Sequence, residues 1–110
     1  MAFRFELIHH PKASIDYLDA KAYFNEIDPD LAKLFEDDFR TALRGLASGR
    51  SSTHLYTSGS TLRWVKLRRF SHKVYFDSVD DGQRLILAVV SGKRHPRTIL
   101  QMLRRRHRSP

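Results

Sequence analysis

The chain of 110 residues contains no cysteine. Without thiols it can form neither a disulfide framework nor a thiolate metal site, so we expect a protein of a reducing compartment, the cytoplasm. No stretch approaches the ~20 apolar residues of a membrane-spanning helix, and the opening segment lacks the apolar core of a signal peptide. We therefore expect a protein that is neither secreted nor embedded in a membrane.

The sequence also lacks the patterns that hold metals and cofactors. Its six histidines show no helical or carboxylate-supported spacing, and His9 and His10 are simply adjacent. No glycine-rich loop could cradle a phosphate, since Ser58-Gly59-Ser60 has the composition of a flexible turn. We expect no bound metal and no cofactor.

Acidic residues are scarce in the second half of the chain. Residues 1–60 hold seven Lys/Arg against nine Asp/Glu, whereas residues 61–110 hold thirteen against three. The net charge of +8 is therefore the sum of −2 on residues 1–60 and +10 on residues 61–110. Such a cationic surface favours polyanions or an acidic protein partner and does not choose between them.

Length and apolar periodicity predict one domain, 1–110, with a basic C-terminal segment, 96–110. Residues 3–8 alternate apolar with charged side chains, as in a strand. Residues 14–27 carry apolar side chains three and four positions apart, and Asp28-Pro29 ends this helix and caps the next. The second helix extends to about Ala47, where Ser48-Gly49 closes it.

After a polar loop, three further strands are predicted, at 62–69, 73–79 and 85–91. Asp80-Asp81-Gly82 signals a hairpin between the last two, and the last is apolar on both faces, as in a central strand. Residues 98–106 could form a short helix, frayed by its arginines. The order β-α-α-β-β-β predicts an α+β fold in which a small, mostly antiparallel sheet is covered on one face by a helical hairpin.

Side-chain alternation predicts a basic and aromatic second face. If Val65, Leu67, Val74 and Phe76 pack against the helices, the opposite face and its rim carry Trp64, Lys66, Arg68, Lys73, Tyr75, Asp77, Arg94 and Arg97. Cations pair with phosphates and rings stack on bases, so this face could bind nucleic acid; the alternative is a solvated face. His95 is either a general acid or base, or a helix cap before Pro96.

Three motifs in this order are similar to those of a known superfamily. They are Asp28-Pro29-Asp30-Leu31-Ala32 with Phe35, then Leu67–Phe76, similar to L-x-R-F-P-Y-x-V-Y-F, and Ile86–Pro96, similar to I-L-A-V-x-H-G-x-R-D-P. Nearly the whole chain resembles the RelE/ParE toxins of type II toxin–antitoxin operons, often called plasmid stabilization proteins. The resemblance implies a growth-inhibiting toxin with the fold predicted above.

The superfamily contains two activities, and RelE-like members are ribosome-dependent mRNA endoribonucleases. They use basic side chains on the open sheet face and, commonly, a tyrosine or histidine near the C-terminus. The catalytic residues implied by that resemblance are Lys66, Arg68, Lys73, Arg94 and His95. The sequence departs from RelE at Trp64, where RelE has a lysine, and at Leu100, in the place of its C-terminal tyrosine.

ParE-like members are not enzymes and inhibit DNA gyrase through a basic sheet edge and the C-terminal segment. The contact residues implied by this second resemblance are Trp64, Arg68, Arg69, Arg94 and Arg97. The departures at Trp64 and Leu100 favour gyrase inhibition. The nuclease and a non-toxic basic nucleic-acid-binding module remain as alternatives.

Either branch of the superfamily implies a cognate antitoxin that forms a hetero-oligomer with the toxin and masks its functional surface. A partly disordered acidic segment would complement the cationic half of the chain and fold as it binds. We expect it to dock on the hairpin groove and the basic face.

Overall fold

The computed structural model describes residues 4–108 and, of Arg108, the backbone only. Phe3, the first residue of the predicted first strand, and residues 109–110 of the basic segment lie outside the described residues. None of the helices in this range has the length and hydropathy of a membrane span. The elements in chain order are β1 (Glu6–His9), α1 (Pro11–Ile27), α2 (Pro29–Ser48), β2 (His54–Leu55), β3 (Arg63–Lys66), β4 (Lys73–Asp80), β5 (Gln83–Val90) and α3 (Pro96–Arg108).

These elements form the predicted α+β fold. The strands make one sheet in the order β1-β5-β4-β3-β2. β1 is parallel to β5 and the other neighbours are antiparallel, which confirms the predicted meander of β3, β4 and β5. Residues Ile86 to Val90 of β5 are buried, as expected of a strand covered on both faces. The two-residue strand β2 lies where the sequence predicts only a loop.

Each described helix begins with a capping residue followed by proline. Proline suits the first helical position because it has no N–H that would need a partner there, and its φ is already helical. The capping bonds run from Lys12 N to His10 Nδ1 at 3.1 Å, from Asp30 N to Asp28 Oδ1 at 2.9 Å and from Arg97 N to His95 Nδ1 at 3.1 Å. The predicted closure of α2 is also confirmed, since Gly49 is left-handed with φ 76°.

The hairpin of α1 and α2 packs on one face of the sheet, as predicted. Phe35 and Leu46 of α2 are fully buried, and Tyr17 of α1 stacks on Phe39 with ring centroids 4.3 Å apart. On the sheet side this core contains Leu67, directly after β3, and the strand residues Val74, Phe76, Ile86 and Val89. The inward face predicted from side-chain alternation is therefore confirmed.

Asp38 interrupts the apolar stripe of α2, and its side chain is buried, with the residue 4% exposed. Its carboxylate accepts three hydrogen bonds from Arg69: from the backbone N at 2.7 Å, from Nε at 3.0 Å and from Nη2 at 2.8 Å. Burial alone would raise the pKa of Asp38, but the hydrogen bonds and charge of Arg69 outweigh it and hold that pKa below its usual value. The pair fixes α2 to the turn after β3.

This pair also explains why β3 is shorter than the predicted 62–69. The ladder with β4 ends at Lys66, and the chain then turns. Arg68 and Arg69 lie in the turn because the Asp38 carboxylate binds the Arg69 N–H. Arg68, predicted on the second face of a strand, is instead an exposed turn residue.

The second face of the sheet is not open, and the prediction of an exposed basic face is wrong in this respect. α3 packs across it through Ile99, Met102 and Leu103, which are spaced to share one side of a helix. The helix predicted at 98–106 begins earlier and ends later, and it is packed where the sequence predicts fraying. The strand residues beneath α3 are Tyr75, Leu87, Ala88 and Val90.

A β-bulge in β5 enlarges this second core. Tyr75 pairs with Ala88, whereas Phe76 pairs with Ile86, so Leu87 is the extra residue on β5. A bulge breaks the strict alternation of side chains. Leu87 and Ala88 consequently both contribute to the core under α3.

Arg106 bridges α3, α1 and β5. Its Nη1 and Nη2 bind the Asp16 carboxylate at 2.6 and 3.1 Å, and Nη1 also donates to Leu87 O at 2.9 Å. Asp16 Oδ2 accepts the backbone N–H of Val89 at 3.0 Å. Both backbone groups lie beyond Ile86, the last residue of β5 that pairs with β1. Arg106 and Asp16 therefore complete the hydrogen bonding of a strand edge that β1 does not reach.

We predict that Asp38→Asn lowers the free energy of unfolding by roughly 1–3 kcal/mol at neutral pH, the usual contribution of hydrogen bonds to a charged group. A carboxylate whose pKa is depressed in the folded state stabilises the fold above its unfolded pKa, and this contribution disappears as the pH falls through the folded value. The difference between the two proteins should therefore shrink below about pH 4. Urea unfolding at several pH values measures it.

The matched control is Asp37→Asn at the exposed neighbouring position, which should change stability by less than ~0.5 kcal/mol. Equal losses in the two variants, or a loss for Asp38→Asn that is the same at low and neutral pH, would contradict the assigned pair.

Candidate target-binding surface

The sequence-predicted basic residues gather at one end of the sheet. Lys66 pairs with Lys73, and Lys73 pairs with Val90. The last residue of β3, the first residue of β4 and the last residue of β5 therefore lie side by side. The turn 68–71 and the segment 91–97 both extend from that end. We call these two segments together the basic rim.

The two segments of the basic rim touch each other. Gly92 lies so close to the turn that a Cβ on it would come within 2.8 Å of Ser71 O. A residue without a side chain is therefore needed for the segments to meet. This contact brings the arginines of both segments onto one surface.

Besides Arg69, which binds Asp38, the basic rim carries three exposed arginines: Arg68, Arg94 and Arg97. None of them forms an ion pair with another residue in the described part of the chain. Arg97 stands in the first turn of α3, which contains no acidic residue, and a positive charge there opposes the helix dipole. The arrangement disfavours the isolated fold slightly and suits an acidic partner.

The remaining predicted residues near the rim make contacts within the fold. Arg69 is half-exposed, but its guanidinium binds Asp38. Lys66 is exposed, and its Nζ donates to Leu67 O at 2.9 Å. Of the arginines assigned to target contact by resemblance, Arg69 is therefore engaged and the other three are available.

Trp64 is partly buried and is contacted from two sides. His54 of β2 stacks on it, with ring centroids 4.5 Å apart and ring planes at 27°. Lys73 of β4 places Nζ 4.1 Å from the Trp64 ring centroid, a cation–π contact. We call these three side chains the Trp64 stack. Trp64 packs against the core under α3 and stays partly exposed, and His54 is exposed on the edge strand, so the stack lies at the edge of the face that α3 covers.

Tyr75, predicted on the open face, is buried beneath α3 with 3% exposed. Burial raises the pKa of its phenol, and Tyr56, whose ring centroid is 5.8 Å away, raises it further. Leu100 is partly buried in α3. Tyr75 is therefore a protonated core residue and not a surface contact.

His95 is the N-cap of α3. Its Nδ1 accepts the N–H of Arg97, and its carbonyl accepts the N–H of Ile99 at 3.2 Å. Capping before Pro96 is one of the two functions that the sequence allows for His95. The acid–base function stays a prediction.

The structure reveals an Asp–His pair that sequence spacing does not indicate. Asp77 of β4 is buried; its Oδ2 accepts a hydrogen bond from Thr61 Oγ1 at 3.0 Å and lies 2.8 Å from His107 Nε2. The His107 side chain is about half exposed and shares a surface depression with Arg104. Side-chain alternation along β4 places Asp77 on the second face. A carboxylate on a covered face needs a hydrogen-bond partner, and this is the signal for the pair that the sequence contains.

A groove of about 580 Å³ separates α1 from the basic rim. On the α1 side it is lined by Asp19 and the largely exposed Tyr23, and on the rim side by His72 and Lys93. Burial lowers the pKa of His72, so its ring contributes no positive charge at neutral pH. The groove therefore offers an aromatic wall, with Lys93 and the Asp38-bound Arg69 on its rim side and Asp19 on its α1 side.

Within residues 4–108, no group of three or more His, Asp and Glu side chains could hold a metal ion. Comparison with protein-family models gives no match, and comparison with curated proteins gives none that is significant. The functional inference therefore depends on the surface described above and on the sequence motifs.

We predict that His95→Ala lowers the stability of the fold by about 1 kcal/mol, the usual cost of removing an N-cap, whereas His95→Asn, which can still cap, restores most of it. Thermal unfolding of the three proteins measures the effect. Equal stability of the wild type and His95→Ala would contradict the capping function.

Proposed function

We propose that the chain is the growth-inhibiting toxin of a type II toxin–antitoxin pair, and that it acts in the cytoplasm by binding DNA gyrase without being an enzyme. The observation that carries the proposal is the basic rim, where Arg68, Arg94 and Arg97 are exposed and form no ion pair among the described residues. These arginines are among the contacts that resemblance to ParE-like toxins implies. Guanidinium groups bind carboxylates in bidentate fashion, which suits an acidic protein surface.

The architecture supports a contact inhibitor. The observed order of elements and the helical hairpin over one face agree with the fold that the resemblance implies. α3 covers the sheet face that RelE-like enzymes use for mRNA. A protein that acts through the rim of its sheet fits this geometry better than one that must admit an RNA strand onto the face.

A cognate antitoxin would bind in the groove between α1 and the basic rim. An acidic segment with one apolar side chain matches this groove, because the side chain can pack on Tyr23 and the acidic groups can pair with Lys93. A segment bound there would extend over the neighbouring arginines. Toxin and antitoxin would form a hetero-oligomer in which the functional surface is covered.

Expression of the chain without a partner in a bacterial host should stop growth, alter the supercoiling of a reporter plasmid and induce the DNA-damage response. The triple variant Arg68→Ala/Arg94→Ala/Arg97→Ala should restore growth, because truncating an arginine that is a hot spot of an interface weakens binding by about 2 kcal/mol or more. Growth curves and plasmid topoisomer gels give the two measurements.

The matched control replaces three exposed cations outside the rim, in the variant Lys12→Ala/Lys33→Ala/Arg44→Ala. It loses the same charge and should stay toxic. Normal growth of a host that accumulates the folded wild-type chain would contradict the whole proposal. Equal toxicity of the two triple variants would contradict the assignment of the basic rim.

One observation favours the nuclease alternative. The buried Asp77 carboxylate orients the imidazole of His107 at the surface beside Arg104. An oriented histidine can remove a proton from a ribose hydroxyl, and a neighbouring cation can stabilise the charge on the phosphate. This centre would differ from the residues that resemblance to RelE implies.

Primer extension on mRNA from the same cultures tests this alternative. We expect intact mRNA together with altered supercoiling. Cleaved mRNA with unchanged supercoiling would replace gyrase inhibition by the nuclease, and His107→Asn should then reduce cleavage by about 10²-fold or more, the usual contribution of a general base. His9→Asn, at an exposed histidine on β1, is the control and should cleave normally.

A further inference from the structure

We propose that the Trp64 stack is a binding site for an unpaired base of a single-stranded nucleic acid, which stacks on the outer face of His54. The site lies apart from the groove assigned to the antitoxin, and the proposal does not depend on gyrase as the target. It gives a function to a part of the aromatic and basic face that stays partly exposed at the edge of the sheet.

The strand order fixes the sequence of layers in the stack. His54 is directly opposite Trp64 in the β2–β3 ladder, and Lys73 is on β4, at the other side of β3. Since β2 is the edge strand, no further strand formed by residues 4–108 lies beyond His54. The column Lys73–Trp64–His54 therefore ends in an exposed aromatic ring at the sheet edge.

The segment that carries His54 is held in place by several bonds despite the shortness of β2. Arg63 binds the residue before it, with Nε donating to Thr53 Oγ1 at 2.7 Å and Nη2 to Thr53 O at 3.3 Å. On the other side of β2, Tyr56 N donates to Leu62 O at 2.8 Å. A ring that is already ordered loses little entropy when a ligand stacks on it.

The charges around the stack match the phosphates of a nucleic acid. Lys73 is part of the stack, and Lys66 is two residues beyond Trp64 on the same side of β3, a separation of about 6.6 Å along a strand. In a nucleic acid the base can stack on the aromatic ring and the phosphates can pair with the lysines, so a single ligand contacts both the ring and the charges. An acidic peptide would engage only the lysines.

The stack selects unpaired bases because only these expose a π-face. In a duplex each base is covered by its neighbours, and the protein would meet only the phosphate charge. We therefore expect the site to prefer single strands. RNA and DNA share the chemistry that the stack recognises, and the experiment compares them.

The experiment uses the fluorescence of Trp64, which is the single tryptophan in the chain. The full chain is titrated with oligothymidylate and oligouridylate of about 12 nucleotides, within the range of known single-strand sites, and with a DNA duplex of equal charge. We expect saturable quenching by the single strands and weaker binding of the duplex. The ratio of the two single-strand affinities shows whether RNA or DNA is the better ligand.

Variants at His54 separate stacking from charge. His54→Ala should weaken single-strand binding by about 5- to 150-fold, the range measured for loss of one base–aromatic stack, and His54→Phe should retain it. The control His9→Ala removes an exposed histidine from the opposite edge of the sheet and should bind normally. Circular dichroism and thermal unfolding establish that the variants are folded.

Salt titrations test whether Lys73 contacts a phosphate. Lys73→Gln should reduce the slope of log affinity against log salt by about 0.7, the value for one phosphate contact on a single strand, whereas Lys12→Gln should leave it unchanged. The proposal is overturned if Trp64 emission does not respond to single strands, if His54→Ala binds as His9→Ala does, or if the duplex binds as tightly as the single strands. Quenching that requires an aromatic residue at position 54 supports it.

Discussion

The three-layer architecture depends on the bridge that Arg106 makes between α3, α1 and β5. β1 is only four residues long, so the backbone of β5 continues beyond its parallel neighbour. A buried strand edge without hydrogen-bond partners is costly. Arg106 of α3 donates to Leu87 O, and Asp16 of α1, which Arg106 binds, accepts the N–H of Val89, so the two helices together supply what a longer β1 would have supplied. The apolar side of α3 is then held against the second face of the sheet.

Covering this face changes where the basic residues can act. The face itself becomes a second core, in which Tyr75 is buried with the apolar side of α3. Positive charge remains at its margins, on the basic rim and beside the Trp64 stack. We therefore assign protein contacts to the rim arginines and base stacking to His54 and Trp64, two surfaces that can be altered independently.

The parts of the fold that depend on local rules can be predicted from the sequence, and those that depend on distant partners cannot. Capping residues before proline and apolar spacing locate α1 and α2, and turn residues locate the hairpin of β4 and β5. The end of β3 depends on Asp38, which is thirty-one positions away from Arg69. The position of α3 depends on the bulge at Leu87 and on Asp16, neither of which has a sequence signal, and its arginines obscure the apolar spacing at 99, 102 and 103. The same distinction applies to the candidate site. Its basic residues can be predicted from the sequence, whereas the packing of α3 over the second face cannot.

Amide hydrogen exchange, resolved by residue with NMR, tests most directly the claim that α3 closes the second face. We expect the Val89 amide, bonded to Asp16, and the amides around Leu103 of α3 to exchange about as slowly as those in the centre of β4. Rapid exchange in α3 beside a protected β4 would mean that the helix leaves the sheet readily. The second face would then be an open basic surface, and the assignment of function to its margins would be wrong.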